Sequence, residues 1–180
     1  MGSAFEQLLA GDASAHKLGK KFGALFGQFG SVTVDEARKV RPNIQIDTST
    51  AEIAAAQPKW WVHRKWMEEL YDVRSKVVHK GQHDSRPWGW HVGEHLVMAA
   101  HIFPLAVKVM LEREGHCAPT DEDRAACLGT DLLLVEKQWV EDRDGRKTGH
   151  SWQEVIHKTA SSVRFDAIWE KYKREHPDVF

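Results

Sequence analysis

An arginine and a histidine separated by four residues, Arg74 and His79, form the combination in this chain best suited to chemistry. A histidine near its ordinary pKa of ~6.5 can take or give a proton at neutral pH. A guanidinium keeps its charge and offers a planar fork of donors that matches two phosphate oxygens. We therefore predict that His79 transfers protons and that Arg74 binds the scissile phosphate of a phosphodiester, without a metal or other cofactor.

The segment around this pair is basic, although the 180-residue chain as a whole has a net charge of −1. That overall charge excludes a polycation that coats nucleic acid indiscriminately. Between residues 73 and 86, four basic side chains stand against one acidic side chain, which favours a phosphate. We predict Lys76 as an auxiliary cation and Ser75, Lys80 and His83 as further substrate-binding residues.

The Arg-His pair falls near the end of a long segment with helical spacing of apolar residues. At ~100° per residue, one arc of this helix holds the apolar side chains, and Arg74 falls near its middle. The arc comprises Trp60, Trp66, Met67, Leu70, Tyr71, Val73, Val77 and Val78, and the opposite, predicted solvated face comprises Arg64, Lys65, Glu68, Glu69, Asp72, Ser75 and Lys76. Because an unpaired buried guanidinium costs several kcal/mol, Arg74 must meet an anion, carbonyl groups or a polar cleft.

Simpler interpretations of the same residues stay open. Arg74 can be a structural arginine that pairs with a carboxylate of another helix, and His79 can be a helix C-terminal residue favoured by the macrodipole. Five residues on a regular helix span ~140° of rotation, so the two side chains do not share a face. Either the helix unwinds at residues 78–79, or Arg74 works with His79 of a second subunit.

The elements that position the pair are predicted to be helices throughout. No segment alternates with period 2, so we expect one all-α domain over residues 1–180, an antiparallel bundle of five to seven helices. The predicted helices span residues 5–9, 14–29, 34–40, 58–79, 88–114, 120–139 and 151–174, with Pro58 as the first residue of the long one. Residues 31–57 are otherwise expected to be a connecting excursion.

The string around the pair resembles the Apea-like branch of the HEPN superfamily. That branch carries roughly Leu-Tyr-Asp-x-Arg-Ser-Lys-x-x-His-Gly, and residues 70–81 read Leu-Tyr-Asp-Val-Arg-Ser-Lys-Val-Val-His-Lys-Gly, so that Lys80 is inserted before the glycine. The earlier stretch at residues 16–27 is similar to the helix that precedes the motif in such domains. The resemblance covers residues 4–114 as a HEPN-like core, and it leaves residues 115–180 as additional C-terminal helices.

The resemblance implies a function and partners. Active HEPN domains are metal-independent RNA endonucleases that work as homodimers, often as toxins or phage-defence effectors, with the arginine and histidine of two subunits meeting across a cleft. Such a toxin requires an antitoxin or another regulatory protein. Other HEPN domains are non-catalytic RNA-binding or dimerisation modules, and this alternative stays open here.

Three further patterns limit the remaining functions. His91 and His95, with His101 further along, have a spacing that zinc sites use, which leaves a metal-dependent activity as an alternative. Without a supporting ligand pattern we predict no metal site. Cys117 and Cys127 with no signal-peptide pattern fit a reducing cytoplasm, and the apolar stretch at residues 96–111 is too interrupted for a membrane span. His63 and the tryptophans Trp88 and Trp90 are expected mainly in packing, although Trp88 and Trp90 could stack on an RNA base.

Overall fold

The chain is an all-α helical bundle built around one central helix. The computed structural model describes residues 2–9, 14–80 and 88–135, together with the single positions 165, 169, 172, 173, 176 and 177. Within these residues the helices are α1 (Gly2–Leu8), α2 (Ala15–Phe26), α3 (Val34–Val40), α4 (Ala51–Ala56), α5 (Val62–Lys80), α6 (Val92–Arg113), α7 (Asp121–Leu128) and α8 (Thr130–Val135). The prediction of an all-α bundle is confirmed, and α5 is the helix that carries the Arg-His pair.

Helix α2 packs along α5 with its apolar face inward. Ser14 caps its start by accepting a hydrogen bond from the backbone of Lys17 (3.3 Å), as capping side chains commonly do. The buried face consists of Leu18, Gly19, Phe22, Leu25 and Phe26. The predicted extension of this helix to Phe29 is corrected, because its last three residues tighten into a separate 3₁₀ turn.

Two glycines of α2 allow the close approach to α5. A Cβ atom at Gly19 would lie 2.3 Å from Cγ of Glu68 and 2.9 Å from the backbone oxygen of Arg64. At Gly23 a Cβ atom would lie 3.1 Å from Cβ of Arg64. A side chain at Gly19 would therefore push the two helices apart, which explains why a poor helix former is present in the middle of α2.

The segment between α2 and α5 is more ordered than a connecting excursion. Helix α3 has the predicted bounds and begins with a capping box between Thr33 and Glu36. Helix α4, which was not predicted, is short and has no buried residue. Arg41 and Ile44, by contrast, are buried, so this segment contributes to the core.

The start of α5 differs from the prediction that placed Pro58 at its first position. Pro58 belongs to a 3₁₀ turn, after which Trp60 is extended. Thr33 and Trp61 then form an isolated antiparallel bridge, with hydrogen bonds from Val34 N to Trp60 O (2.8 Å) and from Val62 N to Val32 O (2.9 Å). The helix can begin only after this pairing, at Val62, because a bridge and a helix require different backbone angles.

The first half of α5 is buried on nearly every side. The predicted apolar face is confirmed at Trp66, Met67, Leu70 and Val73, which are at most 6% exposed. The prediction of a solvated opposite face is wrong for Lys65, Glu68 and Glu69, which are between 6% and 9% exposed. The other members of that face, Arg64, Asp72, Ser75 and Lys76, are partly exposed. The burial of Lys65, Glu68 and Glu69 follows from the central position of α5, which contacts α1, α2, α3 and α8.

Helix α6 supplies the other large part of the core. It begins at Val92 and not at Trp88, because Trp90 first turns inward and donates its indole N–H to the backbone oxygen of Leu134 (3.0 Å). Among the helices in the described ranges, it alone has the length and mean hydropathy for crossing a membrane. However, 44% of its most apolar window is buried, and Met98, Ile102 and Val109 are core residues. It is a core helix of the bundle.

The predicted helix over residues 120–139 is divided in two. Thr120 caps α7 and accepts a hydrogen bond from Asp123 N (3.2 Å), and the break falls at Gly129, before α8. Residues 136–139 and most of the predicted last helix lie outside the described residues. Phe165, Trp169 and Tyr172, which are described, are helical, and their rings stack in series. Cys117 and Cys127 form no disulfide.

Candidate functional site

Arg74 meets an anion, as its place on the apolar arc required. Its Nη1 lies 2.5 Å from Oε1 of Glu6, on helix α1. The Arg74 side chain is 26% exposed and that of Glu6 is 19% exposed, so the pair lies at the edge of the core. Helix α1 is anchored there by Phe5, which is fully buried and packs edge-on against Phe22 and Phe103.

The helix does not unwind before the histidine. Helix α5 continues without a break through residues 78–79 and ends at Lys80. The first of the two ways to bring Arg74 and His79 together is therefore wrong. On a regular helix the two side chains of one chain point ~140° apart.

The remaining predicted site residues divide into two groups. Ser75 and Lys76 are partly exposed, and Nζ of Lys76 lies 4.9 Å from the ring centre of Trp88, a cation–π distance. The side chains of His79 and Lys80 are not described, and His83 lies outside the described residues. Trp88 is partly buried beside Lys76, whereas Trp90 is fully buried in the core.

A polar cleft opens beside the motif, on the face of α5 that was expected to be solvated. Its volume is about 650 Å³. Helix α2 contributes His16, the segment before α4 contributes Asp47, and Trp88 also lines the cleft. The α5 side chains that line the cleft are Lys65, Glu68, Glu69 and Asp72.

Glu68 is the most perturbed acid of the cleft. Burial raises its pKa to about 7, against the opposing effect of Lys65 and Arg64. Its Oε2 accepts a hydrogen bond from Lys65 Nζ at 3.4 Å. Its Oε1 is buried without a hydrogen bond, although Nδ1 of His16 lies 3.3 Å away. Burial, followed by the charge of Arg64, lowers the pKa of His16. Near pH 7 the neutral forms of both Glu68 and His16 are therefore more populated than they would be in water.

A second set of buried polar groups holds the bundle together around the cleft. Arg41 donates to the backbone oxygens of Leu134 (2.7 Å) and Gly89 (3.0 Å), and its Nη1 lies 3.3 Å from Oε2 of Glu94. Glu69 Oε1 accepts from the backbone N–H of Trp90 (2.8 Å). These contacts join the segment after α3, the start of α6 and the end of α8.

His63 is a core histidine, in agreement with the expectation that it takes part in packing. Its Nδ1 lies 2.6 Å from Oδ1 of Asp131, and both side chains are at most 1% exposed. Oδ2 of the same Asp131 accepts hydrogen bonds from the backbone of Ser31 (2.8 Å) and Val32 (3.2 Å). The pair thus fixes α8 against the start of α3, which is a structural role.

Metal-ligating side chains do not converge in the part of the chain that the structure describes. No group of three or more His, Cys, Asp or Glu residues there could hold a metal ion. His91 is exposed and precedes α6, where its backbone N–H donates to Glu94 (2.5 Å). His95 is buried, with Nε2 3.4 Å from Glu69. The zinc-like spacing of His91 and His95 therefore does not produce a site within these residues.

Comparisons of this chain with protein-family models, with curated proteins and with solved structures find no match.

Sequence reasoning missed the polar residues that line the cleft and those that stabilise its walls. His16, Lys65, Glu68 and Glu69 received no role because a charged helix face normally faces solvent. One available signal was the pair Gly19 and Gly23, whose four-residue spacing on α2 indicates a close helix–helix approach. A helix that packs closely on that side must bury the α5 side chains that face it, including charged ones.

Proposed function

We propose that this chain is a HEPN-type RNA endonuclease that acts as a homodimer in the cytoplasm. The support is the all-α bundle, together with the position of the string at residues 70–81, which begins on the central helix α5. His79 transfers the protons and Arg74 binds the scissile phosphate. Lys76 is an auxiliary cation, and Ser75, Lys80 and His83 contribute to substrate binding.

The observation that carries the proposal is the unbroken course of α5 through His79. Since Arg74 and His79 of one chain diverge by ~140°, a site that uses both requires a second copy. A two-fold axis beside the end of α5 would bring Arg74 of each protomer toward His79 of its partner, because an isologous interface repeats every contact. Two equivalent sites would result.

The chemistry needs no metal. His79, acting as a base, takes the proton from a ribose 2′-hydroxyl, and the oxygen attacks the adjacent phosphorus. Arg74 stabilises the charge on the five-coordinate phosphate, because the guanidinium fork matches two phosphate oxygens. A protonated imidazole then supplies the proton for the leaving 5′-oxygen. The products are a 2′,3′-cyclic phosphate and a 5′-hydroxyl.

Glu6 positions the guanidinium in this scheme. A carboxylate 2.5 Å from Nη1 fixes the direction of a long and flexible side chain before the substrate arrives. A guanidinium has five N–H donors, so an arginine held by a carboxylate can also bind a phosphate.

An antitoxin or other regulatory protein is the partner that an RNase toxin of this kind requires.

The test is RNA cleavage in excess EDTA by the purified chain. We expect fragments with 2′,3′-cyclic ends from the wild type and none from Arg74→Ala or His79→Ala. Arg113→Ala and His116→Ala are matched controls, because both residues are exposed and distant in sequence from the motif. Cleavage that survives loss of Arg74 and disappears with EDTA would contradict the proposal.

Mixing the two inactive variants tests whether the site is shared between subunits. In an equilibrated equal mixture, half of the dimers are mixed, and one of the two sites in each has both residues. About one quarter of the wild-type activity should therefore return, if the interface is isologous. A mixture that stays inactive while the chains exchange would show that the two residues do not cooperate across the dimer.

The ion pair with Glu6 favours one alternative, a non-catalytic RNA-binding or dimerisation module with the same fold. A carboxylate so close to Arg74 partly neutralises the charge that a transition state would need. For such a module, RNA would be retarded in a gel without being cut, and the retardation would weaken in Arg74→Ala. The ends of the recovered RNA distinguish the two functions.

A further inference from the structure

One half of helix α6 packs into the core, and the other half is exposed. At ~100° per residue, its buried residues fall on one side of the helix and its exposed residues on the opposite side. Every exposed residue between positions 92 and 107 is apolar, and Leu96 is 53% exposed. We call this strip the outer face of α6. It comprises Val92, Gly93, Leu96, Ala100, Pro104 and Leu111.

The outer face differs from the exposed half of an ordinary surface helix. Such a helix normally carries charged and polar side chains toward solvent, whereas the first exposed charged side chain of α6 is Lys108, near its end. The face extends over ~28 Å, from Val92 to Leu111, at the helical rise per residue. Continuous exposed apolar strips mark surfaces that contact another molecule.

A glycine in the first turn of α6 is a second indication of a close contact. Glycine is a poor helix former, and at Gly19 its presence is explained by a neighbouring helix. A Cβ atom at Gly93 would have no heavy atom within 4 Å, so no contact in the described part of the chain requires a glycine there. A second molecule that packs closely on the outer face would explain it.

The charges at the two ends of the outer face are complementary. Helix α7 begins with Asp121, Glu122 and Asp123. Nζ of Lys108 lies 2.6 Å from Oδ1 of Asp123, so this acidic turn flanks the later part of α6. The other end of the face is the N-terminus of α6, where the helix dipole is positive. An antiparallel second copy would place each acidic turn near the start of its partner's α6, whereas a parallel copy would bring the two acidic turns together.

The same acidic turn argues against a lipid surface as the occupant of the outer face. Helices that lie on membranes carry basic residues beside their apolar face, and these attract anionic headgroups. Beside the outer face, the acidic turn of α7 would repel such headgroups. The same face of a second copy, by contrast, is apolar, equally long and complementary at its ends.

We propose that the outer face of α6 binds the outer face of a second copy of this chain, with the two helices antiparallel across a two-fold axis. This contact uses a surface other than the end of α5. It therefore stands or falls independently of the proposed nuclease.

An antiparallel pair has a defined register. The two-fold axis passes beside residues 101–102, halfway along the outer face, and each contact occurs twice. Leu96 then lies opposite the partner's Val107, and Gly93 lies opposite the partner's Leu111. Ala100 lies beside the axis, near the partner's Phe103. The small residues of one copy thus face large residues of the other, which allows the two helices to approach closely.

Cross-linking of the full chain through single cysteines tests this register. Cys117 is exposed and Cys127 is buried, so the variants are made with Cys117→Ser. In the proposed pair, the two copies of residue 100 are offset by only ~5 Å along the helix, and the two copies of residue 92 are offset by ~28 Å. We expect a short bifunctional maleimide to join two chains in Ala100→Cys and not in Val92→Cys.

A charge in the outer face should abolish the contact. Leu96→Arg places an unpaired guanidinium opposite apolar side chains of the partner, so it should lower the cross-linked fraction of Ala100→Cys at least ~10-fold. Val40→Arg is the matched control, because Val40 is an exposed apolar residue on α3, 37% exposed. It should leave the cross-linked fraction unchanged. Circular dichroism of both variants should match that of the wild type, since both positions are exposed.

Several outcomes would overturn the proposal. No cross-link of Ala100→Cys at a chain concentration of about 100 μM would do so, because the outer face would then be covered by something other than a second copy. Equal cross-linking of Val92→Cys and Ala100→Cys would contradict the antiparallel register. A cross-link that persists in Leu96→Arg would show that the outer face is not the contact. Binding to anionic lipid vesicles that Leu96→Arg abolishes, without any cross-link, would assign the face to a membrane.

Discussion

Removing the guanidinium of Arg41 should destabilise this protein more than any exposed substitution. Arg41 is 2% exposed, and it joins three separate parts of the chain through the Leu134 and Gly89 carbonyls and the Glu94 carboxylate. The carboxylate of Glu94 is fully buried. In Arg41→Met the side-chain volume is largely kept, but the charge and the N–H donors are lost.

The expected loss follows from what is left behind. Two buried carbonyl oxygens lose a donor, and a buried carboxylate loses its counter-ion. Breaking one partner of a buried ion pair costs about 3–5 kcal/mol, because the remaining charge stays in a poor dielectric. Since domains of this size are stable by about 5–15 kcal/mol, Arg41→Met should remove about a fifth of the total or more.

Urea unfolding followed by tryptophan fluorescence measures this loss. With a slope of about 2 kcal/mol per molar urea, the midpoint should fall by about 2 M. Arg38→Met is the matched control, because Arg38 is exposed on α3, and it should shift the free energy of unfolding by less than about 0.5 kcal/mol. The double variant Arg41→Met with Glu94→Gln should recover part of the stability, since the uncompensated charge is then gone.

The reasoning is refuted if Arg41→Met loses less than about 1 kcal/mol, or no more than Arg38→Met. It is also refuted if Glu94→Gln lowers the free energy of unfolding of Arg41→Met by as much as it lowers that of the wild type. Additive losses would mean that the two side chains do not interact, and that Arg41 stabilises the fold through its alkyl chain or the carbonyl contacts alone.

Three further predictions concern the packing, titration and capping of individual residues. Gly19→Ala should lower the free energy of unfolding in urea by about 1–3 kcal/mol, because its Cβ would lie 2.3 Å from Cγ of Glu68. The control Gly27→Ala, with open space around its Cβ, should leave this free energy unchanged or raise it slightly. Equal effects of the two substitutions would contradict the prediction. Because the pKa of Glu68 is raised to about 7 from 4.5, its contribution to stability is complete at low pH and is lost as the pH rises through 7. Glu68→Gln should therefore flatten the dependence of stability on pH between about pH 4.5 and 7, and an unchanged profile would refute the raised pKa. Thr120→Ala should lose about 1 kcal/mol by removing the cap of α7, measured as a lower melting temperature that Thr120→Ser restores.

The helices themselves were largely predictable from local patterns. The start of α3 follows from Thr33 and Glu36, which form a capping box that depends only on neighbouring residues. The capping box of Thr120 and Asp123 at the start of α7 is local in the same way. Interactions within one or two helical turns involve only residues that are close together in the sequence, so they can be recognised without knowing the rest of the fold.

Element boundaries that depend on distant partners were not predictable in the same way. The start of α5 is delayed to Val62 because Thr33 and Trp61 form a bridge. The start of α6 is delayed because the backbone and the indole of Trp90 bond to Glu69 and Leu134. No local pattern shows such contacts, since each joins residues that are more than twenty positions apart in the chain.

The residues of the motif were identified from the sequence, whereas their partners and relative directions are seen only in the structure. The position of Arg74 on the apolar arc predicts that its guanidinium pairs with a polar group, and that prediction depends only on the local sequence. Only the structure shows that the partner is Glu6 on helix α1. Only the continuous course of α5 shows that Arg74 and His79 of one chain diverge.

The amino-acid sequence by itself determined that this chain forms helices, which faces of most of them are apolar, and that a charged arginine lies among apolar side chains. The tertiary structure decided that Lys65, Glu68 and Glu69 are buried and form a cleft. The physical reason is that helix periodicity depends on residues three and four apart, whereas burial depends on which helices pack against a face. Gly19 and Gly23 bring α2 close to α5, and a face that sequence periodicity assigns to solvent thereby becomes part of the interior.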